Sequence, residues 1–316
     1  MSFLVDRSAR LRMTFSGEKA KESLGGLVTN DVVALKPGEG QRAVALTSKG
    51  RVIAMVRVWD RGAELLLDCE PESAAGFVSM IKKFMNPRTA KYAVITDTTG
   101  CLGVHGSDAA ALLAPLVGAD ATSLDSLAPL AMWRSADGTF DVIRSTELSV
   151  PGFDVVGSPT NLSAVRTALE LSGLAFADAA ALETARVEVG LPRFGTEMDA
   201  ETIPQEANLD VLGAISFNKG CYTGQEVVAR IHFRGHVNRH LRWLSTAEPL
   251  TRGALVFDAE GKEIGDVRSA VVSPTRGALA IAMVRRECAP GSEVTVRDGD
   301  RSSVARVDEI SAVATA

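Results

Sequence analysis

The segment Lys219-Gly220-Cys221-Tyr222-Thr223-Gly224-Gln225-Glu226-Val227-Val228-Ala229-Arg230 brings together an amine, a thiol and two glycines. Thr223 followed three residues later by Glu226 has the spacing of a capping box, which predicts a helix beginning at Thr223. Cys221 then stands ahead of the helix's positive end, with Lys219 two residues away. Both features favour the thiolate and should bring the thiol below its unperturbed pKa of ~8.5. Gly220 and Gly224 leave the backbone around the sulfur uncrowded, so a ligand or partner can approach. The chemistry is that of a reactive or ligand-contacting thiol; a cysteine filling a small buried space is the plain alternative. Cys69 at the end of LLLDC, Cys101 opening CLGV and Cys288 after an apolar run read as packing residues. With no CxxC pair, a disulfide scaffold and a self-contained zinc or iron–sulfur site are both disfavoured.

Downstream, Arg230, His232, Arg234 and His236 alternate, then come Arg239, His240 and Arg242, with no acidic residue between Glu226 and Glu248. At period two the first four share one face of an extended strand. That face is either an anion-facing strip for phosphate, a polycarboxylate tail or RNA, or a solvated edge strand whose charges block aggregation. His232, His236 and His240 would align as metal ligands only on a helix, and Gly235 with the alternation speaks against one. Arg186 and Glu188 precede GLPRFGTEMD, and Ile203-Pro204-Gln205-Glu206 precedes Asn208. A carboxylate held near such a bend can accept from an amidine-like edge such as that of a pterin; a solvated helix-end Glu is the bland reading.

These residues need a scaffold. The 316 residues suggest two domains or three small ones. Aligning Gly17 with Gly106 superposes FSGEKAKESLGGL on VHGSDAAALLAPL, and two α+β halves of split β-α-β type emerge. The first has strands near 42–47, 51–58 and 64–69 and a helix from Pro71 to Phe84; the second has strands near 130–134, 139–145 and 151–156 and a helix after Pro159. Lys49-Gly50 and Asp137-Gly138 sit at the hairpin turns. A helix over Asp178–Leu191 follows, with Leu182, Ala185 and Val189 on its apolar face and Arg186 and Glu188 off it. Residues 192–220 read as an ordered loop, and the glycine-punctuated strands from Leu241 as a small β-barrel. The expected domains are 1–97, 98–240 with the motif region, and 241–316.

The charge sum of −5 argues against a nucleic-acid coat protein, and 46% hydrophobic with 23% charged residues excludes disorder. No apolar run reaches the ~20 residues of a membrane-spanning helix, and the first residues lack a signal-peptide segment. A reduced cytosolic protein is expected.

The sequence resembles the YgfZ/GcvT family of folate-binding proteins over nearly its whole length. The landmarks are Leu27-Val28-Thr29-Asn30-Asp31-Val32, Lys49-Gly50-Arg51, Arg186-Val187-Glu188-Val189-Gly190-Leu191-Pro192, Ile203-Pro204-Gln205-Glu206-Ala207 and the Cys221 segment; Ile264-Gly265, Ser273-Pro274-Thr275 and Ile281-Ala282-Met283 follow. The string KGCYTGQE marks the YgfZ branch, whereas glycine-cleavage aminomethyltransferases resemble it around the helix but lack the cysteine. The resemblance implies an α+β three-domain ring with tetrahydrofolate, or another reduced folate, near its central opening, and no stably bound metal. It implies Glu188 as pterin contact, Cys221 with Lys219 as the reactive pair, and Asn30, Arg186, Gln225 and Arg230 as further folate contacts. The implied role is assembling or maintaining iron–sulfur clusters in client proteins, including tRNA-thiolating enzymes. Implied partners are iron–sulfur assembly proteins or those clients, with transient tRNA contact and no membrane. The implied compartment is the cytoplasm, or the mitochondrial matrix in a eukaryote.

One departure matters. Aminomethyltransferases carry an acidic pair in the strand after the first hairpin, where this chain has Ala54 and Met55. Losing a general acid/base costs ~10²–10⁴ in rate. The leading expectation is therefore a folate-dependent accessory factor rather than a conventional enzyme. A tetrahydrofolate-dependent aminomethyltransferase comes second, and a tRNA-binding modification factor third.

Overall fold

The computed structural model describes residues 2–310. The first part runs β1 (Phe3–Asp6), β2 (Leu11–Ser16), α1 (Ala20–Gly25), β3 (Gly40–Leu46), β4 (Val52–Asp60), β5 (Glu64–Cys69), α2 (Pro71–Phe84) and β6 (Lys91–Val94). The pattern then repeats as β7 (Gly100–His105), α3 (Ala109–Val117), α4 (Ala121–Asp125), β8 (Met132–Arg134), β9 (Asp141–Ser145), β10 (Gly152–Gly157) and α5 (Pro159–Leu171). Helices α6 (Ala179–Glu188) and α7 (Gln225–Arg234) flank a long looped segment. Last come β11 (Arg239–Thr246), β12 (Leu255–Phe257), β13 (Glu263–Ser273), β14 (Gly277–Arg285), β15 (Glu293–Asp298) and β16 (Arg301–Glu309), which close into a barrel.

Local chemistry explains the elements. Pro71 and Pro159 occupy the first turns of α2 and α5, where a missing N–H costs nothing, and Ser158 caps α5 by accepting from the Asn161 N–H. Phe77, Met80 and Ile81 bury one stripe of α2 against the first sheet's core. Gly50 and Gly138 turn the two hairpins at φ +72° and +74°, a region side chains resist. Helix α6 ends at Glu188, short of the expected Leu191, because Gly190 at φ +67° breaks it.

Both sheets are antiparallel and five-stranded, in the orders β3-β4-β5-β2-β6 and β8-β9-β10-β7-β1. Four strands correspond one to one. The fifth is exchanged: β1 precedes β2 in the chain yet pairs with β7, and β6 precedes β7 yet pairs with β2. Trp59, Leu66, Cys101, Met132, Ile143 and Val156 form an apolar core between the sheets. Beside it lies a buried charge cluster. Arg57 donates to Asp68 at 2.8 Å and to Asp154 of the other half at 2.7 Å. Arg10 reaches Asp68 at 2.9 Å, and Arg7 reaches Glu147 at 2.6 Å. Burial pushes the Asp68, Glu147 and Asp154 carboxyls up, but the surrounding guanidiniums outweigh it and hold all three below their ordinary range.

Candidate functional site

The segment carrying Cys221 is laid onto residues 25–30 of the first half by polar contacts. The Thr29 hydroxyl donates to the Ala214 carbonyl at 2.6 Å, and the Ser216 N–H to Thr29 O at 3.0 Å. Asn30 Nδ2 donates to the carbonyls of Arg42 at 2.8 Å and Gly213 at 2.9 Å. Lys219 Nζ donates to Val28 O at 2.8 Å and to Gly25 O, and the Thr223 N–H reaches Gly26 O at 3.1 Å. The first hairpin interlocks with the same segment. A Cβ at Gly224 would lie 2.5 Å from Thr47 O, and one at Gly50 would lie 2.7 Å from the Val227 Cβ. The glycines of Lys49-Gly50 and Thr223-Gly224 are thus two sides of one close approach.

Cys221 is exposed on this pinned loop, while Cys69, Cys101 and Cys288 are buried as their apolar contexts suggested. Burial pushes the Cys69 and Cys101 thiols up to about 12 and raises Cys288 as well. Lys219 is engaged with the backbone of the first half. Its ammonium faces two backbone carbonyls and lies 5.1 Å from the centroid of the Tyr222 ring. Desolvation, opposed by Asp31, lowers its pKa to about 8.

Two expectations for the following stretch are corrected. The capping box does not form: Gly224, left-handed at φ +83°, occupies the N-cap, and α7 begins at Gln225 with no side-chain cap. Gln225 Oε1 accepts a long 3.4 Å bond from the Tyr222 N–H, and Glu226 pairs with Arg230 one turn on at 2.7 Å. The Arg/His alternation is not a strand either. Arg230, His232 and Arg234 lie on α7, whose Val227, Val228 and Ile231 turn inward at helical spacing and override the period of two. His236 lies beyond the helix and His240 on β11. Among the described residues no three His, Cys, Asp or Glu side chains are grouped to hold a metal.

Glu188 occupies a second place, at the end of α6. Its carboxylate accepts from the hydroxyls of Ser149 at 2.5 Å, Ser273 at 2.5 Å and Thr275 at 3.3 Å. Arg276 donates to the Glu188 carbonyl at 3.2 Å while its guanidinium lies 4.1 Å over Trp243, whose indole N–H binds Val187 O at 2.8 Å. The carboxylate therefore joins α6, the second half and the barrel. Arg186, expected off the buried face, is buried and fully occupied by Glu183, Glu197, Ser269 and the Leu191 carbonyl. Next to this junction a cleft of about 290 Å³ opens, lined in part by Arg10, Glu70, Glu147, Leu148, Leu182 and Arg193. Leu148 faces the cleft and its neighbour Ser149 holds Glu188. Of the expected site residues only Arg186 lines it; Glu188, Asn30, Gln225, Arg230, Lys219 and Cys221 do not.

The two positions of the missing acidic pair face opposite ways along β4. Ala54 packs in the first half's core, and Met55, 9% exposed, packs with Val187, Leu191 and Trp243 at the junction. The buried cluster of Arg10, Arg57, Asp68, Glu147 and Asp154 was not singled out from the sequence. Its only signal there is charge inside apolar strands, Arg57 in MVRVW and Asp68 in LLLDC.

Comparison with known proteins is consistent along the chain. The family model of the GCVT N-terminal domain matches residues 2–219, and that of the glycine cleavage T-protein C-terminal barrel domain matches 239–310. A tRNA-modifying protein YgfZ of Klebsiella pneumoniae (strain 342) is 30% identical over 313 residues, covering 90% of this chain and 86% of the relative. An aminomethyltransferase of Rubrobacter xylanophilus is 28% identical over 303 residues, covering 93% and 79%. The crystal structure of the glycine cleavage system aminomethyltransferase T from Bartonella henselae shares the fold at a TM-score of 0.87 and 22% identity, covering 98% of this chain and 85% of that one. No described helix is long and apolar enough to cross a membrane.

Proposed function

The chain belongs to the glycine cleavage T-protein family, and from that premise we propose that it is a folate-binding accessory factor for iron–sulfur cluster assembly or repair, not an aminomethyltransferase. The observation that carries this reading is Cys221: of four thiols it alone is exposed, on a loop tied down by Lys219, Asn30 and Thr29. One thiolate cannot hold a cluster that ordinarily takes four ligands, so contact with a cluster is shared with a partner protein. Ala54 and Met55 support the negative half, since neither side chain carries a proton where the resemblance expects acids.

The residues present fit a reduced folate, which supplies a one-carbon carrier when bound. Glu188 is tied only through hydroxyls, which it can exchange for the N–H groups of a pterin edge. The adjoining cleft combines apolar Leu148 and Leu182 with Arg193, whose half-exposed guanidinium suits the carboxylates of a glutamyl tail. Arg186, already saturated, holds the walls rather than the ligand.

Calorimetry with tetrahydrofolate is expected to show saturable binding that weakens at least ~tenfold in Glu188→Ala. Equal affinity in the two proteins would remove Glu188 from the site. In a strain lacking the protein, activities of iron–sulfur enzymes are expected to fall and to be restored by the wild type but not by Cys221→Ala. Full restoration by Cys221→Ala would sink the thiol's role. Release of methylene-tetrahydrofolate from an aminomethylated lipoyl carrier by the purified protein would promote the aminomethyltransferase reading instead.

A further inference from the structure

The outward face of α7 takes no part in the folate reading. Glu226, Arg230, Phe233 and Arg234 recur at i, i+4, i+7 and i+8, which places them on one stripe, and all four are exposed. Phe233 leaves 66% of its surface in water. Its ring is held in place by two neighbours. It meets His232 edge-on, centroids 4.7 Å apart, and Phe217 edge-on at 6.3 Å, while His232 lies flat on Phe217 at 3.6 Å. A single exposed phenylalanine needs no explanation. A fixed corner of three rings framed by cations does.

The cations are available. Arg230 is paired only through its solvated link to Glu226, a type of contact worth little. Among the described residues Arg234 forms no ion pair, and neither does Arg285. The register of β11 and β14 sets Arg239, which is paired with Glu206, opposite Arg285, and the Arg286 N–H binds Asn238 O, so a short stretch of chain leads from the end of α7 to Arg285. In a chain of net charge −5 this is a local segregation of positive charge. An acidic peptide would use the guanidiniums and leave the ring corner idle. A chain of phosphates bearing unstacked flat rings uses both.

We propose that this face binds single-stranded RNA, with an unpaired base stacking on Phe233 and neighbouring phosphates meeting Arg230, Arg234 and Arg285. A duplex fits poorly, because its bases are already stacked. The site shares no residue with the Glu188 junction, so it stands or falls separately from folate binding.

Fluorescence anisotropy of the full-length protein with a labelled mixed-sequence single strand, and with the same strand annealed to its complement, tests this. Saturable binding that prefers the single strand is expected. Phe233→Ala should weaken it about tenfold, and Phe233→Trp should preserve it. Arg234→Gln should weaken all sequences alike and flatten the slope of log affinity against log salt by roughly 0.7. Both side chains are exposed, so an unchanged melting temperature will show that the variants are folded. Absence of saturable binding, equal affinity for the duplex, or indifference to Phe233→Ala would each overturn the proposal. Binding of poly-glutamate that displaces the RNA and ignores Phe233→Ala would also overturn it, in favour of an acidic protein partner.

Discussion

The two α+β halves share a strand order and part company in what their equivalent positions hold. Counting along matched registers sets Arg57 of β4 against Asp141 of β9. Arg57 reaches across to Asp154 of the second half, and Asp141 reaches back to Arg61 of the first. A backbone repeated twice has diverged in sign, so its two inner faces attract instead of repel. The hairpins diverge too. Gly50 of the first is packed under Val227 beside the Cys221 loop. The second turn is satisfied within itself: Asp137 accepts from Ser135 and from the hydroxyl and N–H of Thr139. The two halves share a scaffold, and only the first packs its hairpin against the loop of the candidate thiol.

Charge removal tests the contrast most severely. Asp68→Asn leaves Arg57 and Arg10 buried with too few carboxylates, which should cost ~3–5 kcal/mol in urea unfolding. Asp141→Asn should cost less at neutral pH, because Arg61 keeps Glu64 and the Arg134 guanidinium reaches solvent. Burial raises the Asp141 carboxyl more than Arg61 and Arg134 lower it, so its charged form is not favoured by folding. The pH signatures are opposite in sign. Asp68, depressed in the folded protein, contributes stability above the ordinary Asp pKa of ~3.9 that is lost as pH falls through its folded value. Asp141, raised, contributes stability below ~3.9 that is lost as pH rises through its folded value. Equal losses for the two substitutions would mean that the halves are electrostatically interchangeable.

The hairpins offer a milder comparison. Alanine at either Gly50 or Gly138 takes on a left-handed backbone, at ~1–2 kcal/mol. At Gly50 the new methyl also meets Val227, adding ~1–3 kcal/mol of overpacking; at Gly138 it meets only the movable end of Arg134. Thermal melts of the two variants should therefore differ, with Gly50→Ala the lower. Coincident melts would show that the motif loop yields to the hairpin. The smallest effect belongs to Lys219→Met, which removes two charge-assisted bonds to carbonyls at a half-buried site, about 1–2 kcal/mol. Hydrogen exchange should then quicken at the Ser216 and Thr223 amides that dock on Thr29 and Gly26. Unchanged exchange would assign the anchoring to Asn30 and Thr29 instead.

Much of the scaffold is legible in the sequence because its signals are local. Pro71 and a helical stripe through Phe77 and Ile81 delimit α2 at its observed ends, and Lys49-Gly50 and Asp137-Gly138 mark both turns. The start of α7 is hidden because Thr223 and Glu226 have the right spacing, while the left-handed Gly224 between them sets the cap. The alternation of Arg and His misleads because the deciding residues are Val227, Val228 and Ile231. The charge cluster is invisible for another reason: Arg57 and Asp154 are 97 residues apart, and each alone looks like ordinary strand polarity. Glu188 was legible as a candidate, but its three hydroxyl partners come from Ser149, Ser273 and Thr275, which no local pattern connects to it.

The exchange of β1 and β6 has a consequence for how the two halves depend on each other. Each sheet is completed by the strand that leads into the other, so cutting the chain between α2 and β6 would leave each sheet without its fifth strand. A lone half-molecule would carry a surplus strand and an open edge that fit a second copy of itself. That is the geometry of a strand-swapped homodimer whose subunits have been joined tail to head. In such a chain neither half has a finished form of its own to fold into, and the two must mature as one cooperative unit.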